Sequence, residues 1–204
     1  MAGAASRVTR HSSPVTGVVL AGGQGRRMGG VDKGLERLRE KPMVQWAIER
    51  FAPQVDEVLV NANQNLEAYA AFGHRVVPDA IGGFAGPLAG LHRGLTEASH
   101  DLVATVPCDS PFLPLDLVSR LRAAMEAADA ELTVARTGEQ PHPVFCLCRK
   151  SVLGSLTAFL ESGGRKIDAW YSALKIVEVP FDDQPEAFSN INTAAELRSA
   201  EALD

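Results

Sequence analysis

One glycine-rich stretch near the start of the chain has the residue types that bind phosphate. Residues 20–33 read Leu-Ala-Gly-Gly-Gln-Gly-Arg-Arg-Met-Gly-Gly-Val-Asp-Lys. Glycines let main-chain N–H groups approach phosphate oxygens without a Cβ in the way, and Arg26, Arg27 and Lys33 add positive charge. The stretch therefore has the components of a polyphosphate cradle. The alternative is a glycine loop that only exposes basic side chains to solvent.

Two familiar phosphate motifs do not fit this loop. A Walker loop requires Ser or Thr after its lysine, but Gly34 follows Lys33. A dinucleotide fingerprint requires a third glycine at the position that Met28 occupies. The loop thus predicts phosphate binding of some other class.

Polar residues also end the next two predicted strands, at Asn61 and Asp79. The Asn61 amide offers donors and an acceptor to a nucleoside base or ribose, and Asp79 accepts from ribose hydroxyls or from a guanine N–H edge. The alternative for both residues is turn chemistry, because Asn and Asp at strand ends often bond their own backbone.

A carboxylate follows a fourth apolar run, where Asp109 stands between Pro107 and Pro111. Mg²⁺ takes one or two carboxylates and completes its shell with water and substrate phosphate oxygens, so Asp109 is the candidate metal ligand. The alternative is a cap for the helix that begins near Pro114, for which the spacing is poor. Neighbouring Cys108 is interpreted as a small buried hydrophobe.

Weaker candidates lie further along the chain. His142 precedes a predicted strand, and a lone histidine is more often structural than functional. Asn190 and Asn192 precede the last predicted helix, where capping would be sufficient to explain them. Gly90, inside a predicted helix, indicates a close backbone approach.

The elements that position these residues follow an alternating pattern. Apolar, β-branched runs alternate with amphipathic stretches, which predicts an α/β fold with a largely parallel sheet. Strands are predicted over residues 15–21, 55–61, 76–77, 102–106, 132–135, 144–148 and 176–179. Helices are predicted over 43–51, 66–72, 88–98, from 114 onward, and over 151–161, 167–174 and 193–203. Ligands of such sheets bind beyond the carboxyl ends of the strands.

Composition limits the possible classes of protein. The chain has 204 residues and a net charge of −5, which favours one domain over residues 15–204 and disfavours a nucleic-acid binder. Residues 1–14 are predicted to be a disordered tail. Three cysteines are too few for a disulfide framework, so a reducing cytoplasm is expected, and no apolar run reaches the length of a membrane span.

Several of these motifs occur together and in order. They are Leu20-Ala21-Gly22-Gly23, Arg27-Met28-Gly29, Asp32-Lys33, Val60-Asn61-Ala62-Asn63, Gly86-Pro87-Leu88-Ala89-Gly90, Pro107-Cys108-Asp109 and Asn190-Ile191-Asn192-Thr193. In this order they resemble the molybdenum cofactor guanylyltransferase family, whose members join GMP to molybdopterin. The resemblance implies a Rossmann-like three-layer α/β sandwich of the nucleotidyltransferase type, with a mostly parallel, mixed central sheet.

The resemblance also implies roles for residues at matching positions. It implies that Asp109 binds Mg²⁺ and that Lys33, Asp109 and Arg27 take part in catalysis. On the molybdopterin side it points to Asn190 and Asn192, with His142 as a further candidate. The implied nucleotide-binding residues are Leu20, Ala21, Gly22, Gly23, Lys33, Asn61, Asp79 and Asp109.

The implied reaction uses GTP and molybdopterin and releases pyrophosphate. Other proteins of molybdenum-cofactor synthesis and acceptor molybdoenzymes are the implied partners. Gly22-Gly23 favours GTP, since related cytidylyltransferases tend toward Ala-Ala-Gly. A cytidylyl- or sugar-phosphate nucleotidyltransferase and a non-catalytic nucleotide sensor of the same fold are the open alternatives. A dinucleotide oxidoreductase fits poorly, because Asn61 stands where an acid would bind ribose.

Overall fold

The computed structural model describes residues 13–23, 32–81, 86–191 and 196. Within these ranges a seven-stranded sheet is formed by β1 (Val15–Leu20), β4 (Glu57–Asn61), β5 (Arg75–Val77), β6 (Leu102–Pro107), β7 (Leu132–Thr137), β8 (Gln140–Arg149) and β9 (Ile176–Pro180). A separate two-stranded hairpin consists of β2 (Arg37–Leu38) and β3 (Lys41–Pro42). The helices are α1 (Met43–Phe51), α2 (Leu66–Ala70), α3 (Pro87–Glu97), α4 (Leu117–Ala128), α5 (Leu153–Glu161) and α6 (Ile167–Tyr171).

The order of the large sheet is β5-β4-β1-β6-β8-β7-β9. Its pairs are parallel except those of β8, which runs antiparallel to both β6 and β7. Because β5, β4, β1 and β6 are parallel neighbours, their carboxyl ends meet along one edge of the sheet. The loops that carry the candidate residues therefore emerge side by side.

Two apolar layers hold helices on the two faces of the sheet. Val15 and Val19 of β1 pack with residues of α1 and α4, whereas Val18 points to the opposite face and packs with α3, α5 and α6. Such alternation follows from the two-residue period of a strand. Both faces of β1 and β6 are covered, which explains their continuous apolar sequences.

The predicted α/β class is confirmed, with boundaries that shift by a few residues. The strand predicted over 144–148 begins four residues earlier in its antiparallel pairing with β7, at Thr137↔Gln140. The helix predicted from Pro114 begins at Leu117. The β2–β3 hairpin was not predicted, and nearly all of the helix predicted over 193–203 lies outside the described residues. None of the helices in the described ranges has both the length and the apolar character of a membrane span.

Candidate active site

A cavity of about 440 Å³ lies at the carboxyl ends of the parallel strands. It collects residues from the loops after β1, β4, β5 and β6, together with the start of α3 and part of β8. Its walls are Leu20, Ala21, Gly22, Gly23, Asp32, Lys33, Gly34, Asn61, Asp79, Gly86, Pro87, Pro107, Cys108, Asp109, Val144 and Asn190. Every residue assigned to nucleotide binding by sequence resemblance lines this one cavity.

Lys33 and Asp109 form the charged pair of the cavity. The Lys33 Nζ atom lies 3.7 Å from Oδ2 of Asp109, with the two side chains 22% and 15% exposed. Burial raises the pKa of the Asp109 carboxyl, and the Lys33 ammonium opposes that rise. Asp109 does not cap α4, whose N-cap position is Asp116. A carboxylate deprived of water in this way gains from any cation delivered to the cavity.

Lys33 is held in place by the residue before it. Asp32 precedes the 3-10 turn Lys33–Leu35, and its Oδ1 accepts a 2.5 Å hydrogen bond from the hydroxyl of Tyr69. The amide of Asn65 donates to the other oxygen of Asp32 at 2.9 Å. A Cβ on Gly34 would lie 2.5 Å from the Tyr69 hydroxyl oxygen, so only glycine permits this packing. Tyr69 is fully buried, and it fixes the backbone from which Lys33 projects.

Cys108 is a buried side chain of the wall. It is 8% exposed, and burial, together with the nearby charges of Asp109 and Asp32, raises the pKa of its thiol. A thiol held protonated is a poor nucleophile. This agrees with its interpretation as a small hydrophobe.

Asn61 is 2% exposed, and its amide is engaged within the protein. Its Nδ2 donates to the carbonyl of Val77 at 3.0 Å and to Oδ1 of Asp79 at 2.8 Å. Its Oδ1 packs against the backbones of Gly22 and Gly90, where a Cβ on either glycine would be crowded. Asn61 therefore fastens β4 to the loop after β5, and Gly90 makes the close approach that its position in a helix indicated.

Asn63 holds the same loop from the other side. Its Nδ2 donates to Oδ2 of Asp79 at 2.8 Å, and its Oδ1 accepts from the Asp79 backbone N–H at 2.8 Å. The Asp79 carboxylate thus accepts one amide hydrogen bond on each oxygen. These bonds join the segment that follows β4 to the segment that follows β5, so turn chemistry within one loop does not explain Asp79.

Asn190 reaches the cavity from the C-terminal part of the chain. Its Oδ1 accepts a 2.6 Å hydrogen bond from the Ser110 hydroxyl, and the Ile191 N–H donates to the Asp109 carbonyl at 2.9 Å. The segment is therefore tied to the loop that carries Asp109. Its predicted companion Asn192, like Arg27, lies outside the described residues.

His142 occupies a different position from the other candidates. Its ring stacks on Phe188 with centroids 4.7 Å apart, and its Nε2 lies 2.7 Å from the Thr137 hydroxyl. Burial lowers the pKa of this imidazole. It is not among the residues that line the cavity, so the structure does not bring it together with Lys33 and Asp109.

Three residues that support the site were not predicted as members of it. Asp32 and Asn63 were noted only as parts of motifs, and their neighbours Lys33 and Asn61 were the available signals. Tyr69 stood in a predicted helix with no chemical signal. Its role depends on a tertiary contact with Asp32 that no local spacing reports.

Comparison with known proteins agrees with the resemblance. The family model described as MobA-like NTP transferase domain matches residues 17–176. A molybdenum cofactor guanylyltransferase of Cupriavidus metallidurans is 51% identical over 193 residues, covering 92% of this chain and 95% of the relative. A protein with the same name from a Shewanella species, strain ANA-3, is 52% identical over 182 residues, covering 89% and 92%.

A solved structure gives the same answer for the fold. Molybdopterin-guanine dinucleotide biosynthesis protein A from Archaeoglobus fulgidus superimposes with a TM-score of 0.77 at 25% identity, over 91% of this chain and 96% of that one. Both the identity of the relatives and the extent of their coverage far exceed what a shared fold alone requires. The chain therefore belongs to the molybdenum cofactor guanylyltransferase family.

Proposed function

We propose that this protein transfers GMP from GTP to the terminal phosphate of molybdopterin, forming molybdopterin guanine dinucleotide and releasing pyrophosphate. The observation that carries the proposal is that the first residues of the glycine loop, Leu20–Gly23, line the same cavity as Lys33, Asp79 and Asp109. The names of the relatives supply the identity of the two substrates.

Mg²⁺ is the metal that suits the chemistry of Asp109. This carboxylate is largely buried at the cavity wall, and its negative charge is destabilised by the loss of water. Mg²⁺ binds through one or two carboxylates plus substrate phosphates and waters, so it does not require a dedicated cage of protein ligands. When bound, it would neutralise charge on the triphosphate of GTP.

The acceptor needs little activation by the protein. A phosphate monoester has a second pKa of about 6, so the terminal phosphate of molybdopterin is largely ionised at neutral pH. One of its oxygens forms the new bond to the α-phosphorus of GTP. The bond from that phosphorus to the bridging oxygen breaks, and pyrophosphate departs with the electron pair. No general base is needed.

Alignment and charge compensation remain as the protein's contributions. Lys33 is proposed to bind the phosphate that gains charge on departure. The backbone N–H groups of Gly22 and Gly23, together with Arg27, are proposed to hold the other phosphate oxygens, since the Ala21 N–H already donates to the Asn61 carbonyl. Tight positioning of two reactants can by itself supply roughly 7–11 kcal/mol of a reaction barrier.

The molybdopterin side is proposed at the end of the cavity where Asn190 lies. Asn192, which lies outside the described residues, is proposed as a second residue of that side. We propose the cytoplasm as the location, supported by three cysteines that are all unpaired thiols. Other proteins of the pathway and the acceptor molybdoenzymes are the proposed partners for delivery and receipt of the cofactor.

The direct test is to incubate the purified protein with molybdopterin, Mg²⁺ and each of GTP, CTP, ATP and UTP, and to identify products by mass. The proposal expects the guanine dinucleotide with GTP and little product with the others. A cytidine dinucleotide as main product would support the cytidylyltransferase alternative. Tight GTP binding with no release of pyrophosphate would support a sensor.

A further inference from the structure

Asn63 makes a two-point contact with Asp79 that no role assigned so far explains. Its amide nitrogen donates to the side chain of Asp79, and its amide oxygen accepts from the backbone N–H of the same residue. Asn63 is exposed, so its side chain contributes little to the hydrophobic core. Its contacts fix the orientation of one carboxylate.

That orientation leaves Asp79 with a defined acceptor face. A carboxylate has two oxygens and about four lone-pair sites in total. Asn61 occupies one site on Oδ1 and Asn63 one site on Oδ2. With respect to the described residues, one acceptor site therefore remains on each oxygen, and Asp79 lines the cavity. The two carboxylate oxygens of Asp79 can therefore accept from two hydrogen-bond donors that lie side by side.

Among the four common bases, guanine alone offers two adjacent donors on its Watson–Crick edge. These are N1–H and the 2-amino group. Cytosine and adenine each place an amino group beside a ring-nitrogen acceptor, and uracil has one N–H between two carbonyls. An acceptor-only carboxylate is repelled by those neighbouring lone pairs. The two remaining acceptor sites of Asp79 therefore match the donor pattern of guanine and not that of the other three bases.

The position of Asp79 in the sheet favours the base over the ribose as its partner. Asp79 follows β5 and Asp109 follows β6, three strand spacings away in the order β5-β4-β1-β6. At about 4.8 Å per spacing the strands are roughly 14 Å apart. The ribose hydroxyls lie within one sugar ring of the α-phosphate, whereas the base edge extends beyond that ring.

We infer that Asn63 is a positioning residue for base selection, which holds the Asp79 carboxylate so that its two oxygens receive the paired N–H donors of guanine. This rests on the proposed function, in that GTP is taken as the nucleotide substrate. It extends that function by assigning selectivity to a residue outside the reacting centre.

The test is equilibrium nucleotide binding by calorimetry with Mg²⁺ and no molybdopterin. The titrants are GTP, inosine triphosphate, which lacks the 2-amino group, and 2′-deoxy-GTP. The proteins are wild type, Asn63→Ala, Asn63→Asp and the control Gln64→Ala, which changes the adjacent exposed residue. Thermal unfolding midpoints establish that each variant folds.

Asn63→Ala is expected to weaken GTP binding about tenfold, within the range of one good bidentate base contact, and to weaken inosine triphosphate binding less. The preference for GTP over inosine triphosphate then narrows, while the ratio of GTP to 2′-deoxy-GTP affinity stays the same. Asn63→Asp places a second negative charge beside Asp79, so it is expected to weaken GTP binding more than Asn63→Ala does. Gln64→Ala is expected to match wild type.

Two results would overturn the inference. One is an unchanged preference for GTP over inosine triphosphate in a folded Asn63→Ala protein. The other is a change confined to 2′-deoxy-GTP, which would assign Asp79 to the ribose. Because no transfer is measured, a protein that binds GTP selectively but makes no dinucleotide would contradict the proposed function and leave this inference intact.

Discussion

The Nζ atom of Lys33 lies 3.7 Å from Oδ2 of Asp109, although the two residues belong to the loops of different strands. Lys33 follows β1 and Asp109 follows β6, and these strands pair in parallel from Val15↔Leu102 to Leu20↔Pro107. The parallel pairing brings the ends of both strands to one edge of the sheet, and the contacts of Asp32 with Tyr69 and Asn65 hold the turn that places Lys33 beside Asp109. A divalent metal and a triphosphate need this combination of charges.

Asp109→Asn is expected to lower kcat/KM for dinucleotide formation by at least about 100-fold, because it removes the charge that holds the metal but preserves the side chain's size. The same chemical change at Asp183, an exposed partner of Arg120, serves as the control and is expected to leave turnover unchanged. Steady-state kinetics at saturating Mg²⁺ would decide. Equal activity in the two variants would remove Asp109 from the metal site.

Gly90→Ala and Gly94→Ala form a matched pair one turn apart on α3. A Cβ at Gly90 would overlap Oδ1 of Asn61, and a Cβ at Gly94 would lie 2.6 Å from a Val18 methyl. Each is expected to lower the free energy of unfolding by about 1–3 kcal/mol through overpacking, partly offset by the better helix propensity of alanine. Of the two variants, only Gly90→Ala displaces Asn61, one of the two asparagines that hold Asp79.

GTP affinity therefore separates the two glycine variants. Titration with Mg²⁺ is expected to show about a tenfold loss for Gly90→Ala, the size of one good base contact, and no loss for Gly94→Ala. Equal GTP affinities in the two variants would mean that the position of Asn61 does not affect nucleotide binding.

Tyr69→Phe tests the support beneath Lys33. Burial, reinforced by the nearby Cys108 and Asp32, raises the pKa of the Tyr69 hydroxyl, so this group remains a protonated donor throughout the neutral range. Loss of the hydroxyl leaves Oδ1 of Asp32 without that donor and is expected to cost about 1–3 kcal/mol of stability. It should also raise KM for GTP, because the backbone that carries Lys33 is held less firmly. A less stable variant with wild-type kinetics would restrict Tyr69 to a role in folding.

His92 predicts a pH dependence of stability. Its Nε2 lies 3.0 Å from the Thr157 hydroxyl, and burial lowers the pKa of its imidazole despite the opposing charges of Glu161 and Asp79. A lowered pKa means that the folded protein favours the neutral ring. The stabilising contribution is therefore complete above the unfolded-state pKa of about 6.5 and is lost as pH falls through the folded-state value.

The measurement for His92 is denaturant unfolding at several pH values between 5 and 8. His92→Gln retains a nitrogen able to donate to Thr157 and does not titrate. The wild type should therefore lose stability faster than this variant below about pH 6.5, by at most about 1.4 kcal/mol per pH unit. Parallel stability curves would show that His92 does not contribute to the pH dependence.

The fold could be predicted where apolar periodicity was strong, as in β1, β6 and α1. The β2–β3 hairpin could not, because its turn places Arg39 and Glu40 at φ of 50° and 64° without glycine or asparagine as a signal. The early part of β8, which was not predicted, contains Pro141 and Pro143, residues that have no backbone N–H to donate within a sheet. They are tolerated there because the pairing with β6 extends only from Cys146 to Arg149, which leaves the preceding residues unpaired on that side.

The site shows the same division between local and tertiary information. Lys33, Asp79 and Asp109 could be predicted because each follows a strand whose end had to reach a common edge. The partners that orient them depend on contacts between distant segments. Asn63 and Asp79 meet only because β4 and β5 pair in the register Asn61↔Val77, and no spacing within the sequence reports that register.

The position of bond cleavage tests the central claim most directly. The protein is incubated with molybdopterin, Mg²⁺ and GTP that carries a radiolabel on either the α- or the γ-phosphorus, and the products are separated. Guanylyl transfer predicts that the α-label appears in the dinucleotide and the γ-label in pyrophosphate, in equal amounts. Release of the γ-label as inorganic phosphate, with no α-label joined to molybdopterin, would contradict the account.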